Sequence, residues 1–116
     1  MSKDQAELLK GIYPILILKL LNGNSPMYGY QIEKNVRILS DDQFSITQGS
    51  LYPILHKLEE KGLIKSFHKE VNNRTRKYYK ITTKGRKNYD LRNTEVRSIF
   101  DSLLSFLNRE SVAPDL

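Results

Sequence analysis

At Gly62 the hydrophobic pattern of this 116-residue chain changes period. Ahead of it, in residues 47–62 (TQGSLYPILHKLEEKG), Leu51, Ile54, Leu55 and Leu58 recur at i, i+3, i+4 and i+7, one buried stripe of a helix. Behind it, residues 63–71 (LIKSFHKEV) and 76–82 (RKYYKIT) are β-like, with Asn72-Asn73 as a turn signal between them. The chain must therefore run from a helix straight into a hairpin. An isolated hairpin is marginal in water, so this one has to pack against the helices. Thr47 can cap the helix start through its hydroxyl, Ile46 can staple onto Leu51, and Gly62 can end the helix at positive φ.

The other face of that helix carries Gln48, Gly49, Ser50, Tyr52, Pro53, His56 and Lys57. A solvated face is better served by Glu, Lys and Ala, the stronger helix formers. Pro53 removes a backbone hydrogen bond and crowds the carbonyl of Gly49. A start of this kind suits close approach by a partner, and it also fits a helix that is merely poorly optimised. Gln48 and Ser50 have hydrogen-bonding groups for base edges or phosphate, while Gly49 and Pro53 only permit approach. Tyr52 has two readings, a phosphate anchor or a ring packed sideways on the preceding helix. Lys57 lies further along, toward a nucleic-acid backbone or solvent.

Upstream, residues 4–22 predict a helix with Leu8, Leu9, Ile12, Ile15, Leu16 and Leu20 on its apolar side. Ile17, Leu18 and Leu21 widen that side until the helix should be buried all round, partly by a second subunit. Pro14 either kinks it or marks its real start. After the turn signal at residues 22–26 (NGNSP), Ser25 can cap a second helix over about residues 27–39 with Pro26 at its first position. Its inner face is Tyr30 or Ile32, then Val36 and Leu39, and Gly29 marks a close backbone approach. Residues 40–44 connect it to the helix already described. The order is helix-turn-helix with the third helix in the recognition position, and the basic hairpin is its wing. Lys69, Arg74, Arg76 and Lys77 are the wing cations expected on phosphates or in a minor groove.

Thr82 or Thr83 can cap a last helix running to about Arg109. Tyr89, Val96, Ile99 or Phe100, Leu103 and Leu107 fall at alternating spacings of three and four, over a helix of roughly 39 Å. So long a stripe outruns a core this small and predicts pairing with a second copy, in coiled-coil-like register. The alternative is a helix lying across its own domain. Ile12 and Leu16 join the expected dimer interface. The fold class expected is mainly α with a small β hairpin: a winged helix-turn-helix over residues 1–82, then a dimerisation helix and frayed tail over residues 83–116.

Charge is concentrated. Residues 65–92 hold ten lysines and arginines against Glu70 and Asp90, a net of +8, while the whole chain is +6. Such a patch is the footprint of a polyanion, here double-stranded DNA. With no cysteine, disulfides, Cys-based zinc sites and thiol catalysis are excluded. Only His56 and His68 are present, and no P-loop, GxGxxG or HExxH pattern occurs, so an enzyme, a metal site or a cofactor is not expected. The charged start lacks a signal-peptide pattern, and residues 12–21 are too short to span a bilayer, so a cytoplasmic protein is expected.

The combination of Tyr28-Gly29-Tyr30, Gly49-Ser50-Leu51-Tyr52-Pro53-Ile54-Leu55, Leu58-Glu59, Lys61-Gly62-Leu63-Ile64, Arg76-Lys77-Tyr78-Tyr79-Lys80-Ile81-Thr82 and Gly85 resembles the PadR family of bacterial transcriptional regulators. The resemblance covers roughly residues 8–107, and the single short C-terminal helix is similar to the compact branch of the family. It implies a homodimer that binds a near-palindromic operator, usually as a repressor, in some members released by a phenolic or hydrophobic compound. Drug-binding members stack an aromatic of the last helix on the ligand. That position falls at Val96 here, with Tyr89, Ile99 and Phe100 left to line a pore. Two competing readings are a winged helix that docks on protein, and a DNA-binding protein without sequence preference.

Overall fold

The computed structural model describes residues 2–113. Five helices and three strands follow one another as α1 (Lys3–Leu9), α2 (Tyr13–Leu21), β1 (Met27–Tyr28), α3 (Gly29–Leu39), α4 (Gln48–Glu60), β2 (Ile64–Val71), β3 (Arg74–Ile81) and α5 (Thr83–Asn108). The strands form one antiparallel sheet in the order β1-β3-β2. The fold is a winged helix-turn-helix with a long C-terminal helix, as expected, and three of its details differ from expectation.

The first helical stretch is two helices. Pro14 sits in the opening turn of α2, where its missing N–H is one of the orphan donors in any case, so it marks a start and not a kink. The burial of this stretch is also incomplete. Tyr13, Ile17, Leu18, Leu20 and Leu21 are buried, Ile12, Ile15 and Leu16 are half-buried, and no residue of α1 is buried.

The second difference lies at residues 25–28. Ser25 and Pro26 do not open a helix. Met27 and Tyr28 pair with Tyr79 and Tyr78 as a third strand, and α3 begins only at Gly29. Ladder hydrogen bonds to β3 outcompete the local cap, and the Tyr28 backbone N–H instead donates to Gln31 Oε1 at 3.1 Å. The inner face of α3 is Ile32 and Val36, whereas Tyr30 and Leu39 are exposed.

The third is the hairpin tip. Asn72 and Asn73 have φ of 51° and 62°, both central residues of a two-residue turn in the left-handed region, where Asn is tolerated. Strand pairing therefore reaches Val71 and Arg74, closer to the tip than residues 72–75 implied.

The core joins α2, α3, α4 and the inner face of the sheet. Ile17, Leu18, Leu21, Ile32, Leu51, Leu55 and Ile64 are its most deeply buried side chains, with Ile46 beside them. Tyr13 closes one side, its phenol donating to the Ser45 carbonyl at 2.8 Å. No described helix is long and apolar enough to cross a membrane. Of the tail, residues 111–113 carry no regular structure, and residues 114–116 lie outside the described residues.

Candidate nucleic-acid interface

α4 is held at both ends by its own sequence. Thr47 is the N-cap, accepting from the Ser50 N–H at 3.2 Å and donating to Ser50 Oγ at 3.1 Å. At the other end Gly62, at φ 74°, allows a paired closure: its N–H reaches Glu59 O at 2.9 Å, and the Leu63 N–H reaches Leu58 O at 3.0 Å. Between these caps Leu51, Leu55 and Leu58 turn inward. Gln48, Gly49, Ser50, Tyr52, Pro53, His56 and Lys57 are exposed along the opposite side.

The exposed start can receive a partner. The N–H groups of Gln48 and Gly49 lie in the first turn, where no intrahelical acceptor exists, and they aim outward with the positive end of the helix dipole. A Cβ placed on Gly49 would meet nothing nearer than Thr47 Oγ1 at 4.0 Å, so the absence of a side chain there answers to nothing inside the protein. His56 is engaged elsewhere, its Nε2 2.7 Å from Glu60 Oε1.

Tyr52 has a structural partner. A Cβ on the buried Gly29 would lie 2.8 Å from Tyr52 Oη and 3.2 Å from its ring carbon Cζ. The ring packs across the start of α3, the sideways reading of Tyr52, while half its surface stays open. What approaches Gly29 is thus an aromatic side chain, not the backbone expected from the sequence. The contact fixes the angle between the two helices of the helix-turn-helix.

The wing adds cations on both sheet faces. Strand alternation puts Lys69 and Arg76 on the outer face, directly opposite one another, and Lys77 on the inner face. Lys77 lies 4.0 Å from Glu59 of α4, and Ser66 donates to the same carboxylate. Arg74 is exposed beside the tip. The Arg76 guanidinium stands 4.6 Å above the ring of Tyr28, held by a cation–π contact. Lys65, Phe67, Tyr78 and Lys80 were not marked by the sequence reading, yet they share that outer face; a period-two count along the two strands would have grouped them.

The joint between the reading elements and α5 is rigid. Thr82 caps α5 by accepting from the Gly85 N–H at 3.0 Å, and its hydroxyl donates to Gly62 O at 2.7 Å. Lys84 Nζ donates to Lys61 O at 2.8 Å, satisfying a carbonyl at the end of α4. A Cβ on Gly85 would sit 2.0 Å from Leu63 O, so only glycine allows α5 to lie this close.

The residues expected to join two subunits divide in two. Ile12, Leu16, Tyr89 and Val96 are half-buried, Leu16 and Tyr89 against their own core. Ile99, Phe100, Leu103 and Leu107 are exposed, along with Leu104 and Phe106.

Comparison with known proteins agrees with this architecture. Residues 17–91 match the transcriptional regulator PadR-like family. A transcriptional regulator from Clostridium thermocellum superposes with a TM-score of 0.81 at 33% sequence identity, over 88% of this chain and 99% of that one. A PadR family transcriptional regulator from Eggerthella lenta gives 0.80 at 28% identity, over 94% and 93%. The transcriptional regulator Rv3488 of Mycobacterium tuberculosis is 42% identical over 48 residues, 41% of this chain and 45% of that protein. From the family match, the shared fold and the interface just described, the chain belongs to the PadR-like family of transcriptional regulators, which are DNA-binding proteins and not enzymes.

Proposed function

We propose that the protein is a homodimeric repressor that binds a near-palindromic operator. The observation that carries this reading is the exposed, small-residue start of α4 standing beside a basic wing. In this assignment Gln48 and Ser50 read base edges, and Gly49 and Pro53 let the helix seat deeply in the major groove. Tyr52 positions α4 through Gly29 and offers its hydroxyl to a phosphate, while Lys57 faces the backbone. Lys69, Arg74, Arg76 and Lys77 neutralise phosphates around the wing.

Dimerisation is assigned to residues 83–116, and reading to residues 1–82. The bare residues Ile99, Phe100, Leu103 and Leu107 support pairing of α5 with its copy, and half-covered Ile12, Leu16, Tyr89 and Val96 extend the seam. Pairing at a fixed angle would set half-sites about one helical turn, roughly 34–36 Å, or a multiple of it apart. A groove of about 340 Å³ lined by Pro14, Ile15, Leu18, Leu63, Val96 and Ile99 supports a small hydrophobic effector held along the same seam.

The test is binding to the DNA just upstream of the protein's own gene, at two salt concentrations, against random competitor. Saturable binding that survives the competitor, weakens steeply with salt and protects two symmetric half-sites is expected. Equal loss to random DNA would leave a basic winged helix without sequence preference, and a salt-insensitive result would remove the electrostatic part.

A further inference from the structure

The outer face of the wing sheet carries more charge than a hairpin tip needs. In register, Lys65 lies opposite Lys80, Phe67 opposite Tyr78, and Lys69 opposite Arg76. Two like-charged pairs thus bracket a stacked aromatic pair, the rings 5.7 Å apart and 16° from parallel. Glu70, the one carboxylate of these two strands, points to the inner face by alternation. Like charges directly opposite on a sheet are destabilising, so this arrangement works against the fold.

Protection of a sheet edge does not explain it. Lysines on an exposed edge strand discourage edge-to-edge pairing, and Lys65 and Lys69 on β2 could serve that purpose. Lys80 and Arg76, however, belong to β3, the central strand. The aromatic row orients the cations: Lys80 Nζ is 5.9 Å from the Phe67 ring centroid, Lys69 Nζ 5.8 Å from that of Tyr78, and Arg76 4.6 Å from that of Tyr28. The result is a preset cationic strip with no anion of its own.

We propose that this outer face is a second phosphate-binding surface, occupied by duplex DNA flanking the stretch held by α4. The proposal rests on the DNA-binding reading above and extends it. The inner face of the sheet is the one turned to α4, through Tyr79, Ile64 and the Glu59 contacts, so the outer face looks away from the recognition helix. Lys65 is seven residues from Asn72 at the tip, roughly 23 Å along the strand. DNA seated on α4 and the tip leaves the base pair of cations, Lys65 and Lys80, for phosphates further out. A continuous phosphate backbone suits a strip of spaced cations free of carboxylates. The rings occupy one another's faces, so they position the charges and do not serve as a base-stacking platform.

The experiment measures the salt dependence of binding to mixed-sequence duplexes of about 60 and about 20 base pairs. Three chains are compared: unmodified, Lys65→Gln/Lys80→Gln, and Lys19→Gln/Arg109→Gln, which loses the same charge on α2 and at the end of α5. On the long duplex, the Lys65→Gln/Lys80→Gln chain should show a log–log salt slope shallower by roughly 1.8, at about 0.9 per lost phosphate contact, while the control keeps the full slope. On the short duplex all three should agree. The outer-face variant should also melt at the same or a higher temperature, because its repelling pairs are gone. An unchanged slope on the long duplex overturns the proposal and leaves an acidic protein surface as the partner of this face. An equal loss on the short duplex overturns it too, by placing these cations within the stretch already held by α4. The mixed-sequence measurement does not depend on an operator, so a chain lacking sequence preference would sink the repressor reading and leave this slope comparison intact.

Discussion

α4 and α5 carry apolar stripes of the same helical period, yet Leu51 and Leu55 of α4 are 0% exposed while Ile99, Leu103 and Leu107 of α5 are 64%, 46% and 67% exposed. The period fixes which face of a helix is apolar; whether that face is covered depends on how far the helix runs beside other elements. α4 has 13 residues and lies within the span of α2, α3 and the sheet. α5 has 26, about 39 Å, and packs chiefly against α2 along its first half. Tyr89 and Val96 are half-buried there, and the stripe is bare from Ile99 onward. One helix is therefore half body and half arm, in a molecule 69 Å long and 31 Å across.

The largest effect expected is at the joint between the two. Gly85→Ala would drive a methyl into Leu63 O, a backbone atom that cannot rotate away, so α5 would have to lift off the body. A stability loss beyond about 4 kcal/mol is expected in a urea melt. A near-normal midpoint would mean that the joint yields, and that body and arm are not rigidly connected.

The two stripes should then answer differently to substitution. Leu55→Ala should cost about 3 kcal/mol through transfer and cavity terms, whatever the protein concentration. Leu103→Glu should leave the body folded and give monomers in light scattering, with weakened DNA binding. A Leu103→Glu chain that stays dimeric would move the interface off the arm, and the contrast with α4 would then rest on length alone.

Much of this was legible in advance because it is local. The bounds of α4 follow from Thr47 and Gly62, whose roles depend on neighbours within four residues. The turn at Asn72-Asn73 and the cap at Thr82 are local in the same way. Features that depend on remote partners were hidden. Met27 and Tyr28 became a strand because Tyr79 and Tyr78, some fifty residues on, supply a ladder that no local pattern announces. Gly85 owes its identity to Leu63 O across the joint, and Gly29 to the ring of Tyr52. In the candidate interface, the exposed face of α4 could be read from the helical period. Lys65 and Lys80 were counted only as charge, because the argument about their partners requires the register of β2 on β3.

A smaller effect tests the link between Gly29 and Tyr52 inside the body. Gly29→Ala should cost about 1 kcal/mol, since the ring must give way and only part of that cost is offset by lower chain entropy in the unfolded state. In a Tyr52→Ala background the same change should be neutral or stabilising. Additive effects in that double-mutant cycle would show that the two residues do not meet in solution.

The smallest effect separates body from arm by pH. Burial pushes the phenol of Tyr79 above its ordinary value of 10.0, with the Glu59 carboxylate and then Tyr52 adding to the rise. Burial alone pushes up Tyr13, from the same value. A raised folded-state pKa means that the unfolded chain releases these protons first. Their contribution is thus fully present below about pH 10 and is lost as pH rises above it. Urea midpoints should be level between about pH 8 and pH 9.5 and fall above pH 10. The fall should be independent of protein concentration, because both phenols belong to the body and neither lies on α5. Tyr79→Phe should soften it at little cost near neutral pH. Tyr13→Phe should soften it too, but lose about 1 kcal/mol at every pH with the hydrogen bond to Ser45 O. An alkaline fall that steepens on dilution would instead place the sensitive groups in the pairing of the arms.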